Sequence, residues 1–197
     1  MNSRTPMHPM DIKSRASQFA DILNMAQVTD NLGAAIETES AMCIILGILK
    51  ELRTSGRSLF VIGNGGSAAV ASHAVTDFLN VGQLRASTVH DPSLMTCMAN
   101  DFGYEAAYAR ILSVLARPAD VLIAISSSGR SPNIRNAVTA FRDAGGTTLT
   151  LSGFDPGNSL RSLGDYNIWL GSTDYGFIEI GHEFLLHNLA DRLRMGL

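Results

Sequence analysis

The sequence contains few cysteines. Of its 197 residues, only Cys43 and Cys97 are cysteine. Two residues of this kind cannot build a disulfide framework, nor a zinc site made from cysteine pairs. Both lie in apolar periodic segments, so we expect reduced thiols in the core of a cytoplasmic protein.

Long apolar runs and an excess of positive charge are also missing. The most continuous apolar run, residues 41–49, is interrupted by Gly47 and is far shorter than the ~20 residues of a membrane-spanning helix. Residues 1–10 contain two prolines and no apolar segment, which argues against a secretory signal or a transit peptide. Lys plus Arg total 15 and Asp plus Glu 18, so we expect no direct nucleic-acid binding.

The composition is that of a folded globular protein. Hydrophobic residues make up 46% and charged residues 17% of the chain, which is enough apolar surface for a core. At roughly 150 residues per domain the length predicts one domain. We expect it to span 1–197, with a helical extension at 10–55 and an α/β sandwich at 58–195.

Apolar residues recur at helical spacing over residues 11–27 and 34–52, which predicts two opening helices. The second is apolar on nearly all sides, with seven large residues: Met42, Ile44, Ile45, Leu46, Ile48, Leu49 and Leu52. Such a helix must be covered on more than one side, either by the rest of the chain or by another subunit. We expect at least a dimer, and a homotetramer in particular, with these helices at its centre.

From residue 58 onward short β-rich runs alternate with helical stretches, the pattern of a parallel sheet with crossover helices. Five strands are predicted, at residues 58–62, 86–90, 121–125, 147–151 and 167–170. Helices are predicted at residues 67–80, 93–116, 132–144, 159–163 and 175–194. The expected fold is a three-layer α/β sandwich, flavodoxin-like or Rossmann-like, with a five-stranded parallel sheet flanked by helices.

Two strand-to-helix loops have compositions suited to phosphate. Ligands of an open parallel sheet bind beyond the carboxyl ends of its strands. Residues 63–67 (GNGGS) follow the first strand, and their glycines let backbone N–H groups converge on an anion. Residues 126–131 (SSSGRS) follow the third strand and lead into Pro132, a favourable first residue of a helix.

Common nucleotide-binding loops do not fit these segments. Neither loop contains lysine or the Gly-Lys-Ser/Thr ending of a P-loop. Residues 63–68 match the dinucleotide pattern G-x-G-x-x-A, which requires an acidic residue about 20 positions later. The nearest candidate, Asp91, lies 28 positions after Gly63 (91 − 63), so a dinucleotide site is not predicted.

Three segments together resemble the sugar isomerase (SIS) domain family, and within it the phosphoheptose isomerases. They are residues 62–69 (IGNGGSAA), 99–103 (ANDFG) and 125–131 (ISSSGRS). Members interconvert sedoheptulose 7-phosphate and D-glycero-D-manno-heptose 7-phosphate. The resemblance implies three groups of substrate contacts: Asn64, Gly65, Gly66 and Ser67 at the sugar phosphate, Asn100 and Asp101 on the substrate, and Ser126, Ser127, Ser128 and Ser131 around the phosphate.

The resemblance also implies a metal and acid/base site. The family carries a His and a Glu four residues apart on the helix after the first loop, and a Gln and a His eight apart on the last helix. The corresponding residues here are His73 and Asp77, then Glu179 and His187. These four would bind one divalent metal, zinc before other ions. Asp77, Glu179 and His187 would be the catalytic acid/base groups, with either carboxylate as the base.

Helix geometry constrains this assignment. His73 and Asp77, at i and i+4, share one helix face. Glu179 and His187 are about 12 Å apart along a helix axis, so both reach one ion only if their side chains lean together, if the helix begins late, or if a second subunit contributes. His187 lies in an apolar stretch where an imidazole needs a partner. For His182 we favour a structural role.

The predicted function is aldose–ketose isomerisation of sedoheptulose 7-phosphate through an enediolate, for heptose biosynthesis. One alternative is a non-catalytic SIS protein, either a sugar-phosphate sensor or an adaptor resembling the tetrameric protein that binds the bacterial replication initiator. The other is isomerisation of a different sugar phosphate. Asp77 and Glu179, which depart from the family pattern, keep the second alternative open.

Overall fold

A seven-stranded sheet forms the centre of the computed structural model, which describes residues 10–197. Residues 1–9, most of the segment inspected for a targeting signal, lie outside the described part. The strands are β1 (Gln27–Asp30), β2 (Ala35–Ile36), β3 (Ser58–Ile62), β4 (Arg85–Ser87), β5 (Val121–Ser126), β6 (Thr147–Ser152) and β7 (Tyr166–Trp169). Their order is β2-β1-β7-β6-β5-β3-β4. The five strands from β7 to β4 are parallel to one another, which confirms the predicted parallel sheet.

Helices cover both faces of the sheet. They are α1 (Ile12–Asn24), α2 (Thr38–Ser55), α3 (Gly66–Asn80), α4 (Pro92–Phe102), α5 (Ala107–Leu115), α6 (Pro132–Asp143) and α7 (Tyr175–Met195), with a 3-10 helix at Ser159–Ser162. Residues of α1, α2, α3 and α7 share one apolar core, and residues of α5 and α6 share a second. Strand β5 supplies Ile123 to the first core and Leu122 to the second. Successive side chains of this buried strand point to opposite faces of the sheet, so β5 contributes to both apolar cores.

A hairpin near the start of the chain is the main departure from the predicted fold. Strands β1 and β2 pair antiparallel, and β1 adds antiparallel to β7 with Val28 opposite Ile168. The opening helix therefore ends at Asn24, and the next begins at Thr38 instead of residue 34. Only Val28 is buried in β1. A four-residue strand with one buried position has too little periodicity to be read from sequence.

The helix predicted over 93–116 is two helices. α4 ends at Phe102, where Gly103 adopts a φ of 82°, a conformation that glycine reaches without steric cost. α5 then begins at Ala107. The break turns the segment around Tyr104 toward the carboxyl edge of the sheet, where its hydroxyl contacts Asn64.

The prediction of core cysteines is wrong. Cys43 and Cys97 are both exposed and free. α4 buries none of its residues, and Cys43 lies on the outer side of α2 beside exposed Gly47. Small and apolar residues occur on both sides of a helix, and only packing decides which side is covered.

The rest of the chain covers one face of α2. Six of its residues are buried: Ala41, Met42, Ile45, Leu46, Leu49 and Leu52. On the other face Ile44 is 40% exposed, and Ile48 is half-buried. Intrachain packing therefore satisfies most, though not all, of the apolar surface of this helix. Within residues 10–197, no helix is both long and apolar enough to cross a membrane.

Candidate functional site

A cavity of about 260 Å³ lies at the carboxyl edge of the sheet, where β3 and β5 lead into α3 and α6. We call it the serine-loop cavity. Its lining comes from both strand-to-helix loops and from the first turns of α7: Asn64, Gly65, Gly66, Ser67, Ile125, Ser126, Ser127, Ser128, Ser131, Tyr175 and Glu179. The eight residues implied for the two loops by the family resemblance are therefore brought together around one space.

The amino ends of α3 and α6 both lie at this cavity. Neither the N-cap of α3, Gly65, nor that of α6, Ser131, makes a side-chain capping hydrogen bond. The first N–H groups of a helix have no intrahelical partner, and the helix dipole makes this end positive. Ser127 adds a buried hydroxyl with no hydrogen-bond partner among the described residues. The arrangement offers several donors to one anion.

The serine loop has a conformation that requires glycine. Gly129 has a φ of 63°, and a Cβ there would lie 1.8 Å from Asn158 Oδ1. The Gly129 N–H donates to the Ser126 carbonyl at 2.9 Å, which closes the turn. The Ser126 hydroxyl contacts Ser131 Oγ at 3.2 Å. These contacts keep the loop hydroxyls close to the amino end of α6.

Three residues that the sequence did not single out hold the glycine loop in place. Asn133 and Asn64 exchange two amide hydrogen bonds, each 2.9 Å, and the Tyr104 hydroxyl donates to Asn64 Oδ1 at 2.9 Å. The buried Tyr108 hydroxyl donates to the Gly63 carbonyl at 2.7 Å, and burial raises the pKa of Tyr108. Asn133 is buried at the start of the amphipathic helix α6. A polar residue at a position where the helical pattern expects an apolar one is the one signal in the sequence that could have identified it.

A second group of side chains, the histidine cluster, contains His73 and Asp77 of α3 and His187 of α7. Asp77 Oδ2 lies 2.8 Å from His187 Nδ1 and 3.6 Å from His73 Nε2. The imidazole rings meet edge to face with centroids 4.7 Å apart. Both histidine side chains are about half exposed, while Asp77 is more buried.

The donors of the histidine cluster suit a divalent metal ion. One ligand atom from each residue lies within 4.8 Å of the other two, and ligands of tetrahedral zinc are roughly 3.3 Å apart. Asp77 Oδ2 is buried, yet no described donor is aligned to hydrogen bond to it, even though His187 is close. A buried carboxylate oxygen without a hydrogen bond is unfavourable. Two imidazoles and a carboxylate are ligand types that zinc and other divalent transition metals accept.

Of the implied site residues, Glu179 lies apart from the histidine cluster, and Asn100 and Asp101 lie apart from both groups. α7 is already helical from Tyr175, so Glu179 is more than two turns from His187, and its carboxylate lies in the serine-loop cavity instead of the histidine cluster. Asn100 and Asp101 are exposed in the last turn of α4, where Asn100 Nδ2 donates to Asp101 Oδ1 at 2.9 Å. Neither of these two residues lines the serine-loop cavity.

His182, by contrast, is a core residue. It is fully buried, and its Nε2 lies 3.2 Å from the Ser152 carbonyl. A carbonyl oxygen only accepts, so Nε2 carries the proton and Nδ1 is bare. Burial lowers the pKa of His182 to about 4. The ring is therefore neutral near pH 7 and anchors the end of β6, whose next residue, Gly153, donates to the Ser127 carbonyl at 2.9 Å.

Comparison with known proteins identifies the family. The family model described as the SIS domain matches residues 22–153. The chain belongs to the SIS domain family. It is 36% identical to the phosphoheptose isomerase of Pelobacter propionicus over 155 residues, which are 76% of this chain and 82% of the relative. It is 32% identical to that of Citrifermentans bemidjiense over 188 residues, which are 92% and 93% of the two chains.

Solved structures with this SIS fold include two phosphoheptose isomerases. The structure from Francisella tularensis aligns with a TM-score of 0.81 and 24% identity, and covers 96% of this chain and 100% of the other. The structure from Neisseria gonorrhoeae aligns with a TM-score of 0.75 and 23% identity, and covers 94% and 100%. The seven-stranded sheet and its helices thus match an SIS fold over nearly the whole chain.

The buried His182 generates a prediction about stability and pH. The unfolded chain has a histidine pKa near 6.5 and the folded one about 4, so the unfolded state binds more protons between these values. The contribution of His182 to the free energy of unfolding is therefore fully present above pH ~6.5. It is lost as the pH falls toward 4, and the loss is on the order of 3 kcal/mol. In His182→Gln, which does not titrate, unfolding free energies from urea titrations should fall less over that range. Equal losses in both proteins would contradict this account.

Proposed function

We propose that this chain is a phosphosugar isomerase that interconverts sedoheptulose 7-phosphate and D-glycero-D-manno-heptose 7-phosphate for heptose biosynthesis. The observation that carries the proposal is the placement of an anion site and an acid/base site along one helix pair. Gly66 and Glu179 lie at the serine-loop cavity, and Asp77 and His187 lie further along the same two helices, α3 and α7. The relatives named phosphoheptose isomerase supply the substrate class.

The serine-loop cavity is proposed to bind the phosphate. Its free N–H groups and serine hydroxyls, among them that of Ser127, supply hydrogen bonds and positive potential without any lysine. In a heptose 7-phosphate, the phosphate and the reacting carbons lie at opposite ends of the sugar. Binding at the phosphate therefore positions a distant reacting end, and that binding energy serves orientation.

The reacting end of the sugar is proposed to lie between Glu179 and the histidine cluster. Isomerisation requires a base that removes a proton from the carbon next to the carbonyl and returns it to the neighbouring carbon, and an acid that exchanges protons with the two oxygens. Glu179 and Asp77 are the two candidate bases. His187, 2.8 Å from Asp77, is the acid or the partner that orients it.

His73, Asp77 and His187 are proposed to bind a divalent metal, zinc before other ions. The unbonded, buried Asp77 Oδ2 and the two adjacent imidazoles support this assignment. When bound, such an ion polarises the sugar carbonyl and stabilises enediolate charge. Glu179, which lies in the serine-loop cavity, is left as a substrate-facing carboxylate.

Isomerisation of a different sugar phosphate is the second candidate function. Where the family carries Glu and Gln, this chain has Asp77 and Glu179. The first change shortens one carboxylate by a methylene, and the second places a carboxylate in the cavity where an uncharged amide is usual. Both changes alter the space and charge that meet the sugar. A non-catalytic SIS protein is disfavoured, because it needs no acid/base groups beside the cavity.

A cytoplasmic homotetramer with α2 at its centre is also proposed. Ile44 and Ile48 leave an apolar strip on α2 that the chain does not cover, and a second subunit would bury it. The free state of both cysteines suits a reducing compartment.

We further propose that 1–197 is a single SIS domain, because β1 of the opening segment pairs with β7 in the same sheet.

The serine loop can be tested by binding. The double variant Ser128→Ala/Ser131→Ala should bind sedoheptulose 7-phosphate at least about tenfold more weakly, because hydrogen bonds to a charged group contribute ~1.5–3 kcal/mol each. Isothermal titration calorimetry measures the affinity. Ser113→Ala, which removes an exposed hydroxyl on α5, is the matched control and should bind like the wild type. Unchanged affinity of the double variant would place the phosphate elsewhere.

The acid/base assignment can be tested by turnover. We expect Asp77→Ala and His187→Ala each to lower kcat by about 10²- to 10⁴-fold, the range for loss of a proton-transfer group, with KM nearly unchanged because the phosphate contacts lie in the loops. The assay follows aldose formation from sedoheptulose 7-phosphate, with and without chelator. Wild-type turnover in both variants would refute the assignment. A wild type that is inactive on this sugar and active on another sugar phosphate would favour isomerisation of that other substrate. A wild type that is inactive on every sugar phosphate tested would favour the non-catalytic binding protein.

The oligomer is tested by sedimentation velocity at micromolar concentration. We expect the wild type to sediment as a tetramer, and Ile44→Asp to dissociate, because a charge in a buried apolar contact is unfavourable. Val114→Asp, at an exposed position of α5, is the control and should leave the assembly intact. A wild type that sediments as a monomer would rule the proposal out.

A further inference from the structure

Glu183 of α7 is a fourth residue at the histidine cluster, and the family pattern does not include it. Its Oε1 lies 3.5 Å from His73 Nδ1 and 4.0 Å from His187 Nε2. These are ion-pair separations, longer than hydrogen bonds. Glu183 and His187 are four residues apart on one helix, a common surface pair. The contact with His73 crosses from α7 to α3, however, and helical spacing does not explain it.

The two carboxylates face opposite nitrogens of the same two rings. His73 turns Nε2 toward Asp77 and Nδ1 toward Glu183. His187 turns Nδ1 toward Asp77 and Nε2 toward Glu183. Each imidazole therefore lies between Asp77 on one side and Glu183 on the other. The side chain of Glu183 is 34% exposed, so water screens its charge only in part.

This arrangement has a consequence for the protons of the two rings. A neutral imidazole carries one proton, and the nitrogen without it is the one that can bind a metal. A carboxylate attracts protons and repels lone pairs. In the metal-free protein Asp77 Oδ2, 2.8 Å from His187 Nδ1, competes with Glu183 for the proton of that ring. When Asp77 binds an ion, Glu183 is the remaining carboxylate and favours protons on His73 Nδ1 and His187 Nε2. The bare nitrogens then face Asp77, where the proposed ligand atoms converge. A carboxylate that accepts a hydrogen bond from the second nitrogen of a metal-binding histidine raises metal affinity. At 3.5 and 4.0 Å, Glu183 acts on the two rings through its charge.

We propose that Glu183 is a positioning residue of the metal site, which sets the tautomer and orientation of His73 and His187 without itself binding the ion. The inference rests on the metal site of the proposed function. Under this proposal Glu183 affects metal affinity and coordination geometry. The serine-loop cavity, which Glu179 lines, affects neither.

Metal binding tests the inference without reference to turnover. Zn²⁺ affinity is measured by competition with a chromogenic chelator, and Co²⁺ is added to metal-free protein so that its visible absorption reports ligand geometry. Glu183→Ala should weaken Zn²⁺ binding by about 10- to 100-fold and change the Co²⁺ bands. Glu183→Gln keeps an oxygen acceptor without the charge, so it should lie between Glu183→Ala and the wild type and partly restore the spectrum.

Asp191→Asn is the matched control. It removes one acidic charge further along α7, where Asp191 pairs only with exposed Arg194 among the described ion pairs, and it should match the wild type in both measurements. Affinity within about twofold of the wild type and an unchanged Co²⁺ spectrum in Glu183→Ala would overturn the inference. If Glu183→Ala does not fold, wild-type affinity and an unchanged Co²⁺ spectrum in Glu183→Gln would overturn the inference. A wild type that binds neither ion would overturn both the inference and the metal assignment. Phosphate binding to the serine loop would be unaffected by that result, because calorimetry tests it separately.

Discussion

The packing of α3 against α7 is the constraint on which both parts of the site depend. The two helices share the larger apolar core, in which Ala71 and Ala74 of α3 lie with Leu186 and Leu189 of α7. Small residues on one helix let the other approach closely. At the start of α3 the approach is so close that a Cβ on Gly66 would lie 2.2 Å from Glu179 Oε1. The same packing brings Asp77 to His187.

The second constraint comes from the amino ends of α3 and α6. A helix end whose first N–H groups have no partner is unfavourable when it is enclosed by protein. Here two such ends share one cavity, and a serine hydroxyl inside it is also without a partner. An anionic ligand would satisfy all these donors together. In the proposed function, one end of the α3–α7 pair therefore binds the phosphate, and the other end carries proton transfer and metal binding.

The parts of this site that were predictable from sequence are local ones. The glycine and serine loops could be predicted because a strand, a turn and a helix start follow one another within about ten residues, and the turn residues report the backbone conformation directly. His73 and Asp77 could be placed on one face of a helix by their spacing of four. The features that were missed are non-local. Asn133 lies 69 residues from Asn64, and Tyr104 lies 40 residues from it.

By itself, the sequence determined the parallel sheet, its crossover helices, the two phosphate-type loops and the family resemblance, because each is encoded by residues that are neighbours along the chain. Only the tertiary structure decided that Glu179 belongs with the serine loop and Glu183 with the histidines. Both residues lie on the α7 face that meets α3, one turn apart, so helical spacing cannot separate their roles. What separates them is the residue of α3 that each one meets: a glycine beside Glu179, which leaves room for a carboxylate, and an imidazole beside Glu183, which attracts one.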